Sequence, residues 1–174
     1  MNLFSRQKRF YLVLILMVLF LLGMSGYQRA VQLWGNKVIL KTEPIDPRSM
    51  FRGDYVRLSY TINTVSDTLA DFDHSHLPRN YPVYVSLEKG EEHWRAAGVY
   101  TEYPAPTEDR QVIKGKLKYS RTDRLRISYP VETYFIPEGT GEKIEKYRGR
   151  GLKVEIALSP TGHAVINRLI YPEE

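Results

Sequence analysis

Four residues between positions 71 and 76 have side chains that commonly bind divalent metal ions: Asp71, Asp73, His74 and His76. Carboxylate and imidazole groups are ligands for zinc, and a helix would bring Asp73 and His76 together because they are three positions apart. The surrounding segment is polar and weakly patterned, so a solvated loop explains the same residues without a metal. We therefore expect neither a metal nor any other cofactor.

Ser49 is a second candidate, as a catalytic nucleophile. Residues 48–54 (RSMFRGD) resemble the Ser-Met…Gly-Asp segment of Ser–Lys peptidases such as signal peptidases. Those enzymes need a lysine with a depressed pKa as the base beside the serine. Lys89 is the obvious candidate, but the sequence GEE at 90–92 follows it and predicts an exposed, acidic turn in which a lysine keeps its proton. A Ser–Lys hydrolase is therefore an alternative and not the expected function.

The segment from 46 to 60 holds the residues that we select as candidate binding residues. Gly53 permits a positive φ that other residues resist, and Asp54 can accept a backbone hydrogen bond that fixes a turn. An Arg–Asp pair in this segment would hold its loop against the following strand. The same groups could instead form a recognition surface for a partner or ligand. The candidates are Asp46, Arg48, Arg52, Gly53, Asp54, Tyr55, Arg57, Leu58 and Tyr60.

Residues 53–60 read GDYVRLSY, which resembles the signature of a family of small bacterial membrane-anchored proteins named GDYxxLxY. All five named positions of the signature are filled. Two later blocks, IKG at 113–115 and YFIPEGTGEKIE at 134–145, also resemble that family, so the similarity extends over most of the chain. Its members look like products encoded beside a polytopic membrane protein. The resemblance therefore implies a partner in a membrane complex and no particular reaction.

An apolar run without any charge covers residues 10–27. As a helix it would be roughly 27 Å long, close to the ~30 Å hydrocarbon core of a bilayer. Arg6, Lys8 and Arg9 precede it, which favours a cytoplasmic N-terminus and an exported remainder. The alternative is a cleaved signal peptide, which would export the same domain. We expect a basic tail at 1–9, a transmembrane anchor at 10–27 whose helix extends to about 34, and an extracytoplasmic domain at 36–174.

Charge and cysteine content exclude several classes of function. The chain has 25 basic and 20 acidic residues, and three of the basic ones precede the apolar run. The remainder is nearly balanced, so we expect no nucleic-acid partner. The chain has no cysteine, which excludes thiol nucleophiles and disulfide exchange. An exported domain without disulfides must be stabilised by packing alone.

A basic stretch lies between positions 114 and 126. Much of it alternates with apolar residues, which is typical of a strand with one solvated face. The alternative is contact with anionic lipid head groups. Its members are Lys114, Lys116, Lys118, Arg121, Arg124 and Arg126.

The chain after the anchor consists of short strand patterns separated by glycine and proline. Residues 55–61 alternate and predict one strand with Tyr55 and Tyr60 on opposite faces. Further strands are predicted over 38–40, 81–87, 93–100, 111–119 and 125–128, and the clearest hairpin joins 153–158 to 163–171. Residues 63–79 are predicted to form a loop or one short helix. The fold class is mainly β, α+β at most, with one antiparallel sheet or partly open barrel behind the transmembrane helix.

These observations favour a binding or accessory protein over an enzyme. We expect a single-pass protein of the cell (inner) membrane whose β domain attaches to a polytopic membrane protein, while the N-terminal helix contacts membrane lipid. Besides the Ser49 hydrolase, a lipid-binding carrier domain is a further alternative, and it would require an apolar cavity inside the β structure.

Overall fold

The computed structural model describes residues 6–44, 55–74, 77–107, 109–121, 123–135 and 151–172. One long helix, α1, covers Arg6–Trp34. Its side chains are exposed from residue 7 to residue 29, and within the described part of the chain only its C-terminal end meets the β domain. Within it, the stretch Gln7–Trp34 is long and apolar enough to cross a membrane. Residues 28–34 continue the same helix.

The junction between α1 and the first strand is tightly packed. Val31 is buried against the β domain, and the Gly35 N–H donates to the Val31 carbonyl at 2.8 Å. A Cβ atom at Gly35 would lie 2.5 Å from the Val31 oxygen and 2.8 Å from the Leu158 oxygen. Real Cβ atoms do not approach backbone oxygens so closely, so only glycine fits between the helix end and the Leu158 carbonyl.

The β domain contains eleven strands among the described residues. They are β1 Asn36–Glu43, β2 Tyr55–Arg57, β3 Ser59–Tyr60, β4 Thr64–Ser66, β5 Tyr81–Lys89, β6 Trp94–Tyr100, β7 Arg110–Arg121, β8 Arg124–Ser128, β9 Thr133–Phe135, β10 Lys153–Leu158 and β11 Ala164–Ile170. Short 3₁₀ turns at Thr61–Asn63 and Asp67–Leu69 flank β4.

The strands form three sets. A four-stranded sheet has the order β11-β10-β1-β3, a five-stranded sheet has the order β4-β8-β7-β5-β6, and β2 pairs with β9 as a separate ladder. All the pairings between these strands are antiparallel. The β structure includes one nearly closed, barrel-like sheet. The prediction of a mainly β, antiparallel fold behind an N-terminal helix is therefore confirmed.

One apolar core lies between the sheets. It is built from alternate residues of each strand, because successive side chains of a strand point to opposite faces. Removal of this much apolar surface from water is what stabilises a domain that has no disulfide. Its fully buried members include Val38, Leu40, Tyr60, Val83, Val85, Ile113, Leu125, Ile127, Val154 and Ile156.

Two local predictions were wrong. The strand expected over 55–61 is interrupted at Leu58, and Thr61 begins a 3₁₀ turn. The interruption occurs where the chain changes its pairing partner, because Tyr55–Arg57 pairs with β9 and Ser59–Tyr60 pairs with β1. The Leu58 N–H donates to the Glu132 carbonyl at 2.8 Å, which is the last bond in the β2–β9 register before this change. The segment over 63–79 was expected to be loop or helix, but Thr64–Ser66 forms β4 and pairs with β8.

Candidate functional site

The second half of the signature lies inside the core. Leu58 and Tyr60 are almost completely buried, with exposed fractions of 2% and 0%. The Tyr60 hydroxyl donates to the Val131 carbonyl at 2.7 Å, and the Leu58 N–H donates to the neighbouring Glu132 carbonyl. These two residues therefore hold the loop between β8 and β9 against β3.

Asn63 is the centre of the buried polar groups around Tyr60. Its side-chain oxygen accepts from the Tyr60 N–H at 2.6 Å. Its side-chain nitrogen donates to the Ile127 carbonyl at 2.8 Å and to Oε1 of Glu132. Asn63 is completely buried, so each of these bonds offsets the cost of removing a polar group from water.

Tyr129 and Glu132 complete the same group of residues. The Tyr129 hydroxyl donates to the Ile62 carbonyl at 2.9 Å, and the Tyr129 N–H donates to Oε1 of Glu132 at 2.8 Å. Burial, and secondly the charge of Glu132, raises the pKa of Tyr60 and of Tyr129 well above the ordinary tyrosine value. Both hydroxyls therefore stay protonated donors. We call Tyr60, Asn63, Tyr129 and Glu132 the buried network.

The first half of the signature faces outward. Tyr55 is 50% exposed and packs edge to face on Phe135, which is 58% exposed, with ring centroids 5.4 Å apart. The pair is set by the register of the β2–β9 ladder, in which Tyr55 is opposite Phe135 and Val56 is opposite Tyr134. Val56 points inward and is fully buried. We call Tyr55 and Phe135 the aromatic pair.

The structure thus divides the candidate binding residues. Tyr55 and Arg57 lie at the surface on β2, whereas Leu58 and Tyr60 lie in the core. The remaining candidates, namely Asp46, Arg48, Arg52, Gly53 and Asp54, lie outside the described residues, and so does Ser49.

A groove that the sequence did not reveal lies on the outer face of the five-stranded sheet. It has a volume of about 370 Å³. Lys114, Lys116 and Lys118 of β7 are exposed along it. The Lys118 ammonium donates to Oδ1 of Asn80 at 2.9 Å, and the Lys114 ammonium lies 5.7 Å from the centre of the Tyr84 ring. We call it the lysine groove; its lining residues are Pro82, Lys114, Gly115, Lys116, Lys118, Ser128, Tyr129, Pro130 and His163.

Gly115 connects the lysine groove with the buried network. A Cβ atom at this position would lie 2.6 Å from Cγ2 of Ile127 and 3.0 Å from Cε1 of Tyr129. Gly115 is therefore the residue that leaves room for the Tyr129 ring. This gives the IKG block at 113–115 a structural explanation.

The structure also describes His74 and Lys89, two other residues that the sequence offered as a metal ligand and a catalytic base. His74 exchanges a hydrogen bond between its Nδ1 and the Ser120 hydroxyl at 2.7 Å. No group of three or more potential metal ligands occurs among the described residues, which do not include His76. Lys89 lies at the exposed end of β5, as the acidic turn after it predicted.

The fold and the signature define a class of protein in which a β domain with one buried and one exposed signature tyrosine follows an apolar helix. The sequence model of the family described as "GDYXXLXY protein" matches residues 17–169, and the chain belongs to that family. The family assignment from the signature is therefore confirmed. No curated protein and no solved structure matches this chain.

Proposed function

We propose that this protein is a membrane-anchored accessory subunit whose exported β domain binds a polytopic membrane protein through the aromatic pair. The observation that carries this proposal is the outward packing of Tyr55 on Phe135. Exposed aromatic side chains supply large contact area at a low cost in side-chain entropy and are common at the centre of protein interfaces.

The apolar helix supports the anchor. Gln7–Trp34 is long and apolar enough to cross a membrane, and its most apolar part is not buried by the described residues of the β domain. A helix with apolar side chains exposed on all sides needs lipid or another protein around it. Lys8 and Arg9 stand before the apolar run and favour a cytoplasmic N-terminus, which exports the β domain.

The junction supports a role in presenting the aromatic pair. Because Val31 is buried and Gly35 fits against Leu158, the helix end and the four-stranded sheet form one packed unit. A surface that is held at a fixed position above the membrane meets a membrane partner at a high effective concentration. Modest contacts between the aromatic pair and such a partner are then sufficient for a stable complex.

Site-specific crosslinking in native membranes tests the proposed interface. A photoreactive amino acid in place of Phe135 should crosslink one specific polytopic protein. Tyr55→Ala should reduce recovery of that protein by about tenfold, because a central aromatic contact commonly contributes 1–2 kcal/mol or more. Tyr119→Ala is the matched control, since Tyr119 is 49% exposed and lies on a different sheet.

Two outcomes would contradict the proposed interface. One is recovery that Tyr55→Ala and Tyr119→Ala change equally. The other is the absence of any specific crosslinked protein when the Phe135 site is sampled over several membrane preparations.

A separate experiment tests the anchor and its orientation. A reporter enzyme fused after Glu174 should be active outside the cytoplasm, and the N-terminal segment should still be present in the membrane-bound chain. Reporter activity confined to the cytosol would contradict the orientation. A mature chain that begins after residue 27 would replace the anchor by a cleaved signal peptide.

A further inference from the structure

The turn between β10 and β11 reaches back along the apolar helix. The ring of His163 lies against the ring of Tyr27, with centroids 6.0 Å apart. Helix α1 ends only at Trp34, which is roughly 10 Å further along its axis at ~1.5 Å per residue. The turn is therefore level with the end of the apolar run 10–27, where the proposed anchor would leave the hydrocarbon core.

Strand β7 runs toward the same level. At Gln111, the side-chain oxygen accepts from the Asn36 side chain at 2.9 Å, and Asn36 directly follows the helix junction. At Lys114, the backbone N–H donates to the Gly162 carbonyl at 2.8 Å, and Gly162 is the neighbour of His163. Over three residues, β7 thus passes from the level of the helix end to that of the turn beside Tyr27.

Gly162 makes this approach possible. Its φ is +80°, a backbone conformation that favours glycine, and a Cβ atom there would lie 3.2 Å from the Lys114 nitrogen. The turn and β7 are therefore held in contact by a backbone hydrogen bond. This contact fixes Lys114 beside the His163 turn.

The lysine groove carries positive charge, which suits the binding of an anion. Three lysines and His163 line it, and none of its lining residues among those the structure describes is acidic. The β5–β7 and β7–β8 registers place Pro82 and Ser128 on either side of Lys116. The residues opposite Lys116 on the two neighbouring strands are therefore uncharged. Its volume of about 370 Å³ is within the ~300–1,000 Å³ range of small-ligand sites.

We infer that the lysine groove binds the phosphate group of an anionic lipid in the membrane that holds the helix. This inference rests on the proposed anchor but not on the proposed partner. The Lys114 and Lys116 ammonium groups would donate to the phosphate oxygens, and the lipid chains would stay in the bilayer beside the turn. A bound head group at this place sets the distance and tilt of the β domain relative to the membrane surface.

The test uses the full chain in lipid nanodiscs made of phosphatidylcholine alone or of equal parts phosphatidylcholine and phosphatidylglycerol. Native mass spectrometry counts the phosphatidylglycerol molecules that the released protein retains. The double variant Lys114→Gln/Lys116→Gln should bind phosphatidylglycerol roughly 25-fold more weakly, since each lysine near an anionic surface contributes about fivefold. The matched control is Lys89→Gln/Arg95→Gln, which removes the same charge at exposed positions outside the groove.

The possible outcomes distinguish a lipid phosphate from a free phosphate. They also distinguish failure of the lipid site from failure of the proposed anchor. An equal loss of lipid in both double variants, or no loss in the groove variant, would overturn the inference. Displacement of the lipid by inorganic phosphate at an equal concentration would assign the groove to a free anion and would also overturn it. Failure of the chain to float with vesicles of either composition would contradict the proposed anchor, whereas normal flotation without selective retention contradicts only the lipid site.

Discussion

Tyr55 and Tyr60 belong to one short signature and have opposite environments. Tyr55 lies half exposed on Phe135 in a two-stranded ladder, whereas Tyr60 is completely buried and donates to the Val131 carbonyl. The difference arises after Leu58, where the chain leaves β9 and pairs with β1 in the four-stranded sheet. A shared motif can therefore combine a residue that specifies the fold with a residue that is available to a partner.

The two tyrosines also differ in the contacts around them, which are buried hydrogen bonds at Tyr60 and a ring contact at the surface at Tyr55. Around Tyr60, Asn63 and Glu132 satisfy backbone groups from β8 and from the loop before β9, so loss of one member leaves buried polar atoms without partners. Around Tyr55, the contact is one ring against another at the surface. We expect changes in the buried network to affect stability and changes in the aromatic pair to affect binding.

Tyr60→Ala should have the largest effect. Removal of a fully buried aromatic ring should lower the free energy of unfolding by about 3–5 kcal/mol. Tyr60→Phe keeps the ring but leaves the Val131 carbonyl without its donor, and should cost about 1–3 kcal/mol. Denaturant titration of the detergent-solubilised full chain measures both, and equal values for the two variants would contradict the role of the hydroxyl.

Gly115→Ala should have the next largest effect on the buried network. The added Cβ would displace the Tyr129 ring and the Ile127 side chain, which should cost about 1–3 kcal/mol. Gly151→Ala is a useful contrast, because Gly151 has a φ of +97° and an added Cβ would have no neighbour within 4 Å among the described residues, so this variant should show backbone strain alone. Ile127→Ala removes Cγ2 of Ile127, so the stability loss caused by Gly115→Ala should be smaller in an Ile127→Ala background than in the parent. An equal loss in the two backgrounds would contradict the steric explanation.

Alkaline pH should weaken the buried network. The folded-state pKa values of Tyr60 and Tyr129 are raised by burial, so above about pH 10 the unfolded chain releases protons that the folded chain retains. Each tyrosine should therefore lower the free energy of unfolding by about 1.4 kcal/mol per pH unit in that range, while its contribution stays intact at lower pH. A Tyr60→Phe/Tyr129→Phe variant should show a flatter decline, and identical slopes in the two proteins would contradict this prediction.

Tyr55→Ala should have the smallest effect on stability. Loss of an exposed edge-to-face contact should cost about 0.5–1 kcal/mol, even though the same change is expected to reduce partner recovery. Denaturation and crosslinking should be measured on the same preparation. A stability loss as large as that of Tyr60→Ala would remove the distinction between the two tyrosines.

Much of the fold was predictable because the strands are regular. Residues 113–118 of β7 alternate between buried and exposed positions, buried residues alternate with more exposed ones in β8, and β5 and β10 end at turns that contain glycine or proline. Strand β4 was missed because it has only three residues, of which Thr64 and Ser66 are polar. The end of β2 was missed because Val56, Leu58 and Tyr60 are all buried, as one continuous strand would have them.

The candidate sites were less predictable because they depend on contacts between distant segments. Asn63 has no distinctive local pattern, and its partners come from positions 127 and 132. The basic alternation of Lys114 and Lys116 was visible, but the contacts that place it beside the helix come from Gly162 and His163. A contact between the signature tyrosine and Phe135 depends on the β2–β9 register, which no local spacing determines.

Because Gly35 fits closely against Leu158, the β domain is fixed to the end of the helix. A rotation of the helix end about its axis therefore turns every surface of the domain by the same angle. A single residue inserted between Tyr27 and Val31 would turn the domain by about 100° around the helix axis and raise it by only ~1.5 Å. The direction in which each face of the β domain points is thus set by the number of residues in α1, so that a change of length within the apolar helix would redirect a face that the helix never touches.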